Sequence, residues 1–228
     1  MRILILSDIH GNLPALEAVL AAEPRYDGVV FCGDVVDYGP MPVETLRWVR
    51  RNASHAVRGN HDNAMGYGVD CQCMGSFREY SVATREWQRT LLQETDFEFL
   101  RELPTLNRFK LDGKQFHVAH ATPQGDMFEY LDFEQWAERV IGLNADFILL
   151  GHTHVQGLRS IGRITVVNPG SVGLARDHEG EACYAVYDGG GIQLKRCIYE
   201  VGRAVTALHE ALLPENIVRG LIRALLGT

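Results

Sequence analysis

Short apolar runs that stop abruptly at polar clusters recur along this chain. Arg2 to Leu6 is such a run and ends in SDIHGN. Gly28 to Cys32 ends in GDVVDYGP, and the shorter Ser54 to Val57 ends in RGNHD. A run of this length closed by turn-forming residues predicts a buried strand whose C-terminal end delivers side chains into a cleft. Helical spacing follows the first two. Asn12 is placed to cap a helix with Pro14 in its first turn and Leu13, Leu16, Val19 and Leu20 along it, and a second helix is expected over Val43 to Arg50. Strand, polar loop, helix is the α/β rhythm.

From about 64 to 105 the pattern changes to a glycine-rich, cysteine-containing loop and then helical stretches carrying Trp87, Leu91 and Leu92, and later Phe97, Phe99 and Leu100. This reads as a small helical cap inserted in one domain spanning 1–228. Two strands follow, Leu106 to Leu111 and Gln115 to His120, joined by the hairpin signal Asp112-Gly113. An amphipathic helix is expected where Phe133, Trp136, Ala137, Val140 and Ile141 share a face. Asp146 to Leu150 predicts a strand ending in GHTH. Strands Ile161 to Val167, Ala182 to Tyr187 and Ile192 to Ile198 come next, and then a helical tail from about Val201.

With 46% hydrophobic and 22% charged residues, the 228-residue chain has the make-up of a globular protein that needs no disulfide or folding metal. Its formal net charge of −7 argues against long nucleic acid as a partner and leaves small anionic esters open, because bound cations can invert the field within one cleft. No run approaches the roughly 20 apolar residues of a membrane span. Five scattered cysteines and the absence of a cleavable apolar leader point to a cytoplasmic protein, and self-association into a homo-oligomer is compatible with the sequence.

The polar residues at the strand ends form one set: Asp8 and His10, Asp34, Asn60 and His61, His120, then His152 and His154. Such positions are where α/β sheets place their sites. Residues two apart on an extended segment point the same way, so Asp8 with His10, and His152 with His154, can each chelate from one side. Imidazole mixed with carboxylate suits zinc, iron, manganese and related ions, and a carboxylate such as Asp34 can bridge two of them about 3.5–4 Å apart. Cys71 and Cys73 lack the spacing of a zinc knuckle and read as a loop thiol pair. Ser171 in NPGSVG lies outside a nucleophile elbow. His55, His117, His178 and His209 belong to no motif and read as structural or surface residues.

DIH, GDVVDYGP, RGNHD, His120 at a strand end and GHTH, in that order over about residues 1 to 200, resemble the calcineurin-like metallophosphoesterase family, in particular its small bacterial and archaeal phosphodiesterase-like members. The resemblance implies a four-layer α/β/β/α sandwich of two mixed sheets flanked by helices. It implies two divalent transition-metal ions (manganese, iron, zinc, nickel or cobalt), one held by Asp8, His10 and His154 and the other by Asn60, His120 and His152, with Asp34 between them. It also implies that an attacking hydroxide bound by both ions hydrolyses a small phosphomonoester or phosphodiester, with His61 assisting the leaving group, Asp62 orienting His61, and Arg58 and Tyr38 near the substrate. Tyr38 stands where protein phosphatases and dinucleoside polyphosphate hydrolases carry arginine, which weighs against those narrower activities. A non-catalytic, partner-binding relative of the same fold is the rival from another class, and the complete ligand set weighs against it.

Overall fold

The computed structural model describes residues 1–178 and 180–228. In chain order the elements are β1 (Arg2–Leu6), α1 (Leu13–Ala22), β2 (Gly28–Phe31), α2 (Pro42–Asn52), β3 (Ala53–Ala56), α3 (Asn60–Tyr67), α4 (Ser76–Arg89) and α5 (Glu94–Glu102). There follow β4 (Leu106–Leu111), β5 (Lys114–Ala119), α6 (Trp136–Arg139), β6 (Phe147–Leu149), β7 (Gln156–Ile161), β8 (Ile164–Pro169), β9 (Glu181–Asp188), β10 (Gly191–Ile198), α7 (Val201–Glu210) and α8 (Glu215–Leu226). They build two mixed five-stranded sheets, ordered β10-β9-β1-β2-β3 and β4-β5-β6-β8-β7, with flanking helices. The expected sandwich is the observed one. Among the described residues, no helix is long and apolar enough to cross a membrane.

Alternation along the strands makes the layers, because successive side chains point to opposite faces of a sheet. Ile3 and Ile5 of β1, Val30 of β2, and Ala185 and Tyr187 of β9 meet Phe116, Val118, Phe147, Leu149 and Val167 of the other sheet in the central core. Leu4, Leu6, Val29 and Phe31 point the other way, onto Leu16, Val19, Leu46 and Val49 of α1 and α2, and this core continues to Leu208 and Leu221 of α7 and α8. Ile148, Ile164 and Val166 cover the far face of the second sheet with Trp136, Val140 and Leu131. β1, β2 and β3 run parallel, as do β5, β6 and β8. The loops that leave these strands are stitched across the sandwich, with Val172 N–H donating to the Ser7 carbonyl and His120 Nδ1 to the Cys32 carbonyl.

Local chemistry explains most boundaries. Asn12 caps α1 through its Oδ1 to the Ala15 N–H, and Asp112 and Gly113, both at positive φ, turn the β4–β5 hairpin. Two expectations fail. The helix expected around 133–141 shrinks to Trp136–Arg139, because Gly142 at φ +78° ends it, and Ile141 is 78% exposed. β7 was not anticipated: QGLRSI is a largely exposed edge strand without an apolar run, recognisable only by its pairing of Ile161 with Ile164 across a hairpin.

Glu23, at the end of α1, is buried and accepts hydrogen bonds from Arg2 of β1, Tyr184 of β9 and Lys195 of β10, so one carboxylate ties the helix to three strands. Burial raises its pKa, but the hydrogen bonds from Lys195 and Arg2 outweigh this and hold it below the usual glutamate range. A depressed folded pKa gives stability that is present above the unfolded value and is lost as pH falls through the folded one. Glu23→Gln is therefore expected to lose about 1–3 kcal/mol at pH 7, with the gap to wild type narrowing toward pH 3, as read from urea unfolding at both pH values.

Candidate metal centre

Seven of the loop residues around the strand ends adopt positive φ without being glycine: Asp8 (53°), His10 (46°), Asp34 (64°), Asp37 (65°), Tyr38 (59°), His152 (69°) and His154 (60°). The expectation that Asp8 with His10 and His152 with His154 lie on extended backbone is thereby corrected. The chain coils at five of the seven expected ligands, and left-handed conformations of this kind persist only where the surroundings over-determine them. Hydrogen bonds supply that determination: the N–H groups of Asp8, His10 and Gly11 donate to the carbonyls of Gly33, Asp34 and Val35, locking the first two loops together. Asn60 and His61 are likewise not extended but open α3.

The structure brings the whole expected ligand set together, and every member is buried. Asp8 Oδ1 lies 3.3 Å from His154 Nε2 and 3.8 Å from His10 Nε2, and the two imidazole nitrogens are 3.1 Å apart. Alongside, Asp34 Oδ2 lies 3.0 Å from His120 Nε2, while Asn60 Oδ1 is 3.1 Å from His120 Nε2 and 3.2 Å from His152 Nδ1. The other nitrogen of each ring is engaged by a backbone carbonyl: His10 Nδ1 with Val36, His154 Nδ1 with Leu174, His120 Nδ1 with Cys32 and His152 Nε2 with Phe128. Where the ring is neutral and that nitrogen donates, the nitrogen facing the centre carries a lone pair. At His120 burial lowers the pKa, but the Asp34 charge and hydrogen bond prevail and raise it to about 9.

Lone pairs facing lone pairs at 3.1 Å repel unless something positive lies between them. Asp8 Oδ1 and Asp34 Oδ2 point into the same space, buried, and among the described residues they meet no donor besides the converging imidazoles. Burial, with the neighbouring imidazoles second, lowers the pKa of both His10 and His152 to about 3, which keeps them neutral and able to ligate. Nitrogen and oxygen donors converging in this way fit divalent transition metals. The groups Asp8, His10 and His154, and Asp34, His120 and His152, each bring their donor atoms within 4.8 Å of one another.

The surroundings of His61 correct one assignment. Asp62 does not orient the imidazole: its carboxylate accepts the N–H groups of Asp34, Val35 and Gly59, which aims the Asp34 loop. Asp37 holds the ring instead, with Oδ2 2.8 Å from His61 Nδ1. The helical turn at 60–62 is the reason, since it points Asp62 back toward the loop that follows β2. Burial lowers the His61 pKa, but the Asp34 charge and the Asp37 hydrogen bond prevail and raise it well above the usual histidine value.

Asp37 is itself gripped by Ser81 and Arg85 of α4, while Thr84 and Gln88 accept the N–H groups of Tyr38 and Asp37. The buried stripe of α4 is thus polar, at 81, 84, 85 and 88. Its helical spacing was legible in the sequence, but the apolar residues drew attention to other faces.

Tyr38 sits against the centre, its ring 4.8 Å from that of His10 and its hydroxyl 3.4 Å from His61 Nε2. Arg58 is not brought to the ligands: among the described residues, its guanidinium bonds the Arg101 carbonyl and the Tyr67 hydroxyl and lies over the Tyr67 ring. Two residues without a motif flank the opening. The Tyr130 ring lies 4.1 Å from that of His152, and the Arg176 guanidinium lies 4.8 Å over the Phe77 ring.

Gly59 is a tight point, because a Cβ there would lie 1.9 Å from Asp34 Oδ1. Gly59→Ala must displace that carboxylate, and it is expected to lower the metal bound after manganese loading and desalting to one ion per chain or fewer, as measured by elemental analysis.

The profile of the calcineurin-like phosphoesterase superfamily domain matches residues 1–190. An uncharacterized protein of Methanocaldococcus jannaschii, MJ0912, is 32% identical over 93% of this chain and 94% of its own length. Phosphodiesterase YfcE of Escherichia coli is 28% identical over 77% of this chain and 82% of its own. The crystal structure of a metallophosphoesterase from Sphaerobacter thermophilus superposes with a TM-score of 0.81 at 30% identity, covering 97% of this chain and 98% of that one. Matched in sequence over most of its length and in fold over nearly all of it, this chain belongs to the calcineurin-like phosphoesterase superfamily.

Proposed function

We propose that the chain hydrolyses small phosphomonoesters or phosphodiesters with two divalent transition-metal ions. Asp8, His10 and His154 would hold one ion, Asn60, His120 and His152 the other, and Asp34 would bridge them. The observation that carries this reading is the convergence of imidazole nitrogens and buried carboxylate and amide oxygens on one buried space. Two ions there would supply Lewis acidity toward the phosphate oxygens and toward an attacking water.

The rest of the chemistry belongs to the side chains. His61, kept protonated by Asp34 and Asp37, has Nε2 free of the Asp37 contact and donates a proton to the departing oxygen. Asp37 fixes the ring through Nδ1, and Ser81 and Arg85 fix Asp37. Tyr38 packs beside the same nitrogen and shapes the leaving-group side. Arg176 and Tyr130 stand at the mouth, where a guanidinium can meet phosphate oxygens and an aromatic edge can line the ester group. Phe77 stands edge-on to Tyr38, so the segment from Tyr67 to Tyr80, together with the 122–130 loop, would set ester preference. The position of Tyr38 favours generic small esters over protein phosphatase or dinucleoside polyphosphate substrates.

Purified protein is expected to bind up to two ions, to lose turnover of 4-nitrophenyl esters on chelation and to regain it with manganese. Undiminished turnover by metal-free protein would refute the reading. His61→Ala should keep both ions and lower kcat by about 10²- to 10⁴-fold, with a smaller deficit for acidic leaving groups than for alkyl ones. Asp37→Asn should show the same leaving-group dependence at a smaller deficit, whereas Asp62→Asn should instead lower metal content. A leaving-group series at fixed metal occupancy separates these outcomes.

A further inference from the structure

Beyond the metal centre, one cluster is not used by the chemistry above. Cys71 and Cys73 are buried side by side with their sulfurs 2.9 Å apart, and both lie within 4.8 Å of an imidazole nitrogen of His61. The backbone is built to pair them. Gln72 between them is left-handed at φ +59°, so the chain doubles back and both side chains turn inward. The Asp70 carboxylate accepts the Gln72 N–H at 2.7 Å and is anchored by Arg78 at 2.8 Å, which holds that turn.

A metal shared by the two sulfurs is disfavoured by the separation, since two Zn–S bonds of about 2.3 Å at a tetrahedral angle need sulfurs about 3.8 Å apart. The contact suits covalent bonding between them. The pair also touches the machinery at two points. Cys71 Sγ is 3.2 Å from the hydroxyl of Ser81, which donates to Asp37, and the Cys71 carbonyl accepts Asn60 Nδ2 at 2.8 Å, which aims Asn60 Oδ1 at His120 and His152.

We propose that Cys71 and Cys73 are a modification site at which hydrogen peroxide forms a reversible intramolecular disulfide, and that this bond lowers turnover at the adjoining centre. Its formation is independent of the phosphoesterase reading, whereas its effect on turnover rests on it. The Cys71 sulfur attacks one peroxide oxygen, the O–O bond breaks, and the departing hydroxide takes the thiol proton to become water, leaving Cys71 as a sulfenic acid. The Cys73 sulfur then attacks Cys71 Sγ, the S–O bond breaks, and the hydroxide leaves as a second water with the Cys73 proton. Two thiols and one peroxide give one disulfide and two waters, and an external thiol reverses the bond by exchange.

Entry to the buried pair is provided by its segment, which runs between Gly68 and Gly75. Both are left-handed with no atom within 4 Å of a Cβ position, and Val69 and Met74 between them are exposed. Drawing the sulfurs to about 2.05 Å moves residue 71, and with it the carbonyl that aligns Asn60 and the contact to Ser81.

The test treats manganese-loaded full-length protein with hydrogen peroxide and reads intact mass, a non-reducing peptide map and turnover of bis(4-nitrophenyl) phosphate, before and after dithiothreitol. The expected result is loss of two hydrogens located at Cys71–Cys73, a drop in kcat of about tenfold or more, as for loss of a group supporting a ligand, and recovery on reduction. Cys73→Ser should form no disulfide and should accumulate a dimedone-trappable sulfenic acid on Cys71. A pair that stays dithiol while Cys197 oxidises, or a disulfide that leaves kcat unchanged, would overturn the proposal. Reduced protein that cleaves no ester at any metal loading fails the phosphoesterase reading instead, and the mass readout still decides whether the bond forms.

Discussion

Crowded lone pairs are the constraint around which this molecule is arranged. Within one buried space the structure places the Nε2 atoms of His10, His120 and His154, Nδ1 of His152, Oδ1 of Asp8 and of Asn60, and Oδ2 of Asp34. Left alone they repel, so the fold must hold them by force from outside. It does so with backbone carbonyls that fix each ring and with amides that tie the first two ligand loops together. Cations would turn the same crowding into attraction, and an acidic protein acquires at that point a local site for anionic esters.

Holding the donors there has a conformational cost. Seven non-glycine residues in left-handed backbone each cost on the order of 1 kcal/mol or more. The three apolar layers around the two sheets offset this, and they do so by making the strand ends rigid. Each ligand loop leaves a strand whose two faces are both packed, as Leu4 and Ile5 or Phe31 and Val30 illustrate. A site on such ends moves only if the sandwich moves.

The wall provided by α4 is a second organising element. Its buried face is Ser81, Thr84, Arg85 and Gln88, and these four residues hold the Asp37–Tyr38 corner from which His61 is oriented. Because Cys71 meets Ser81, which bonds Asp37, and supports Asn60, the loop leading into α4 is hydrogen-bonded toward both His61 and the His120–His152 side of the centre. Ligation, proton donation and the thiol pair are therefore three parts of one hydrogen-bonded body.

The sequence by itself determined the layer architecture and the candidate ligand set. Short continuous apolar runs mark strands packed on both faces, and the polar clusters at the run ends, Asp8 to His154, are local in sequence. Helix caps and the Asp112-Gly113 turn are local too, and were legible for the same reason. Tertiary structure alone decided what depends on distant partners. That Asp37 rather than Asp62 grips His61 follows from the turn of α3 against the loop after β2, and neither spacing nor residue type distinguishes the two carboxylates. The removal of Arg58 to the Arg101 carbonyl and the arrival of Arg176 over Phe77 rest on contacts between segments far apart in the chain. A sequence states which groups are present, but only the packed fold states which of them face each other.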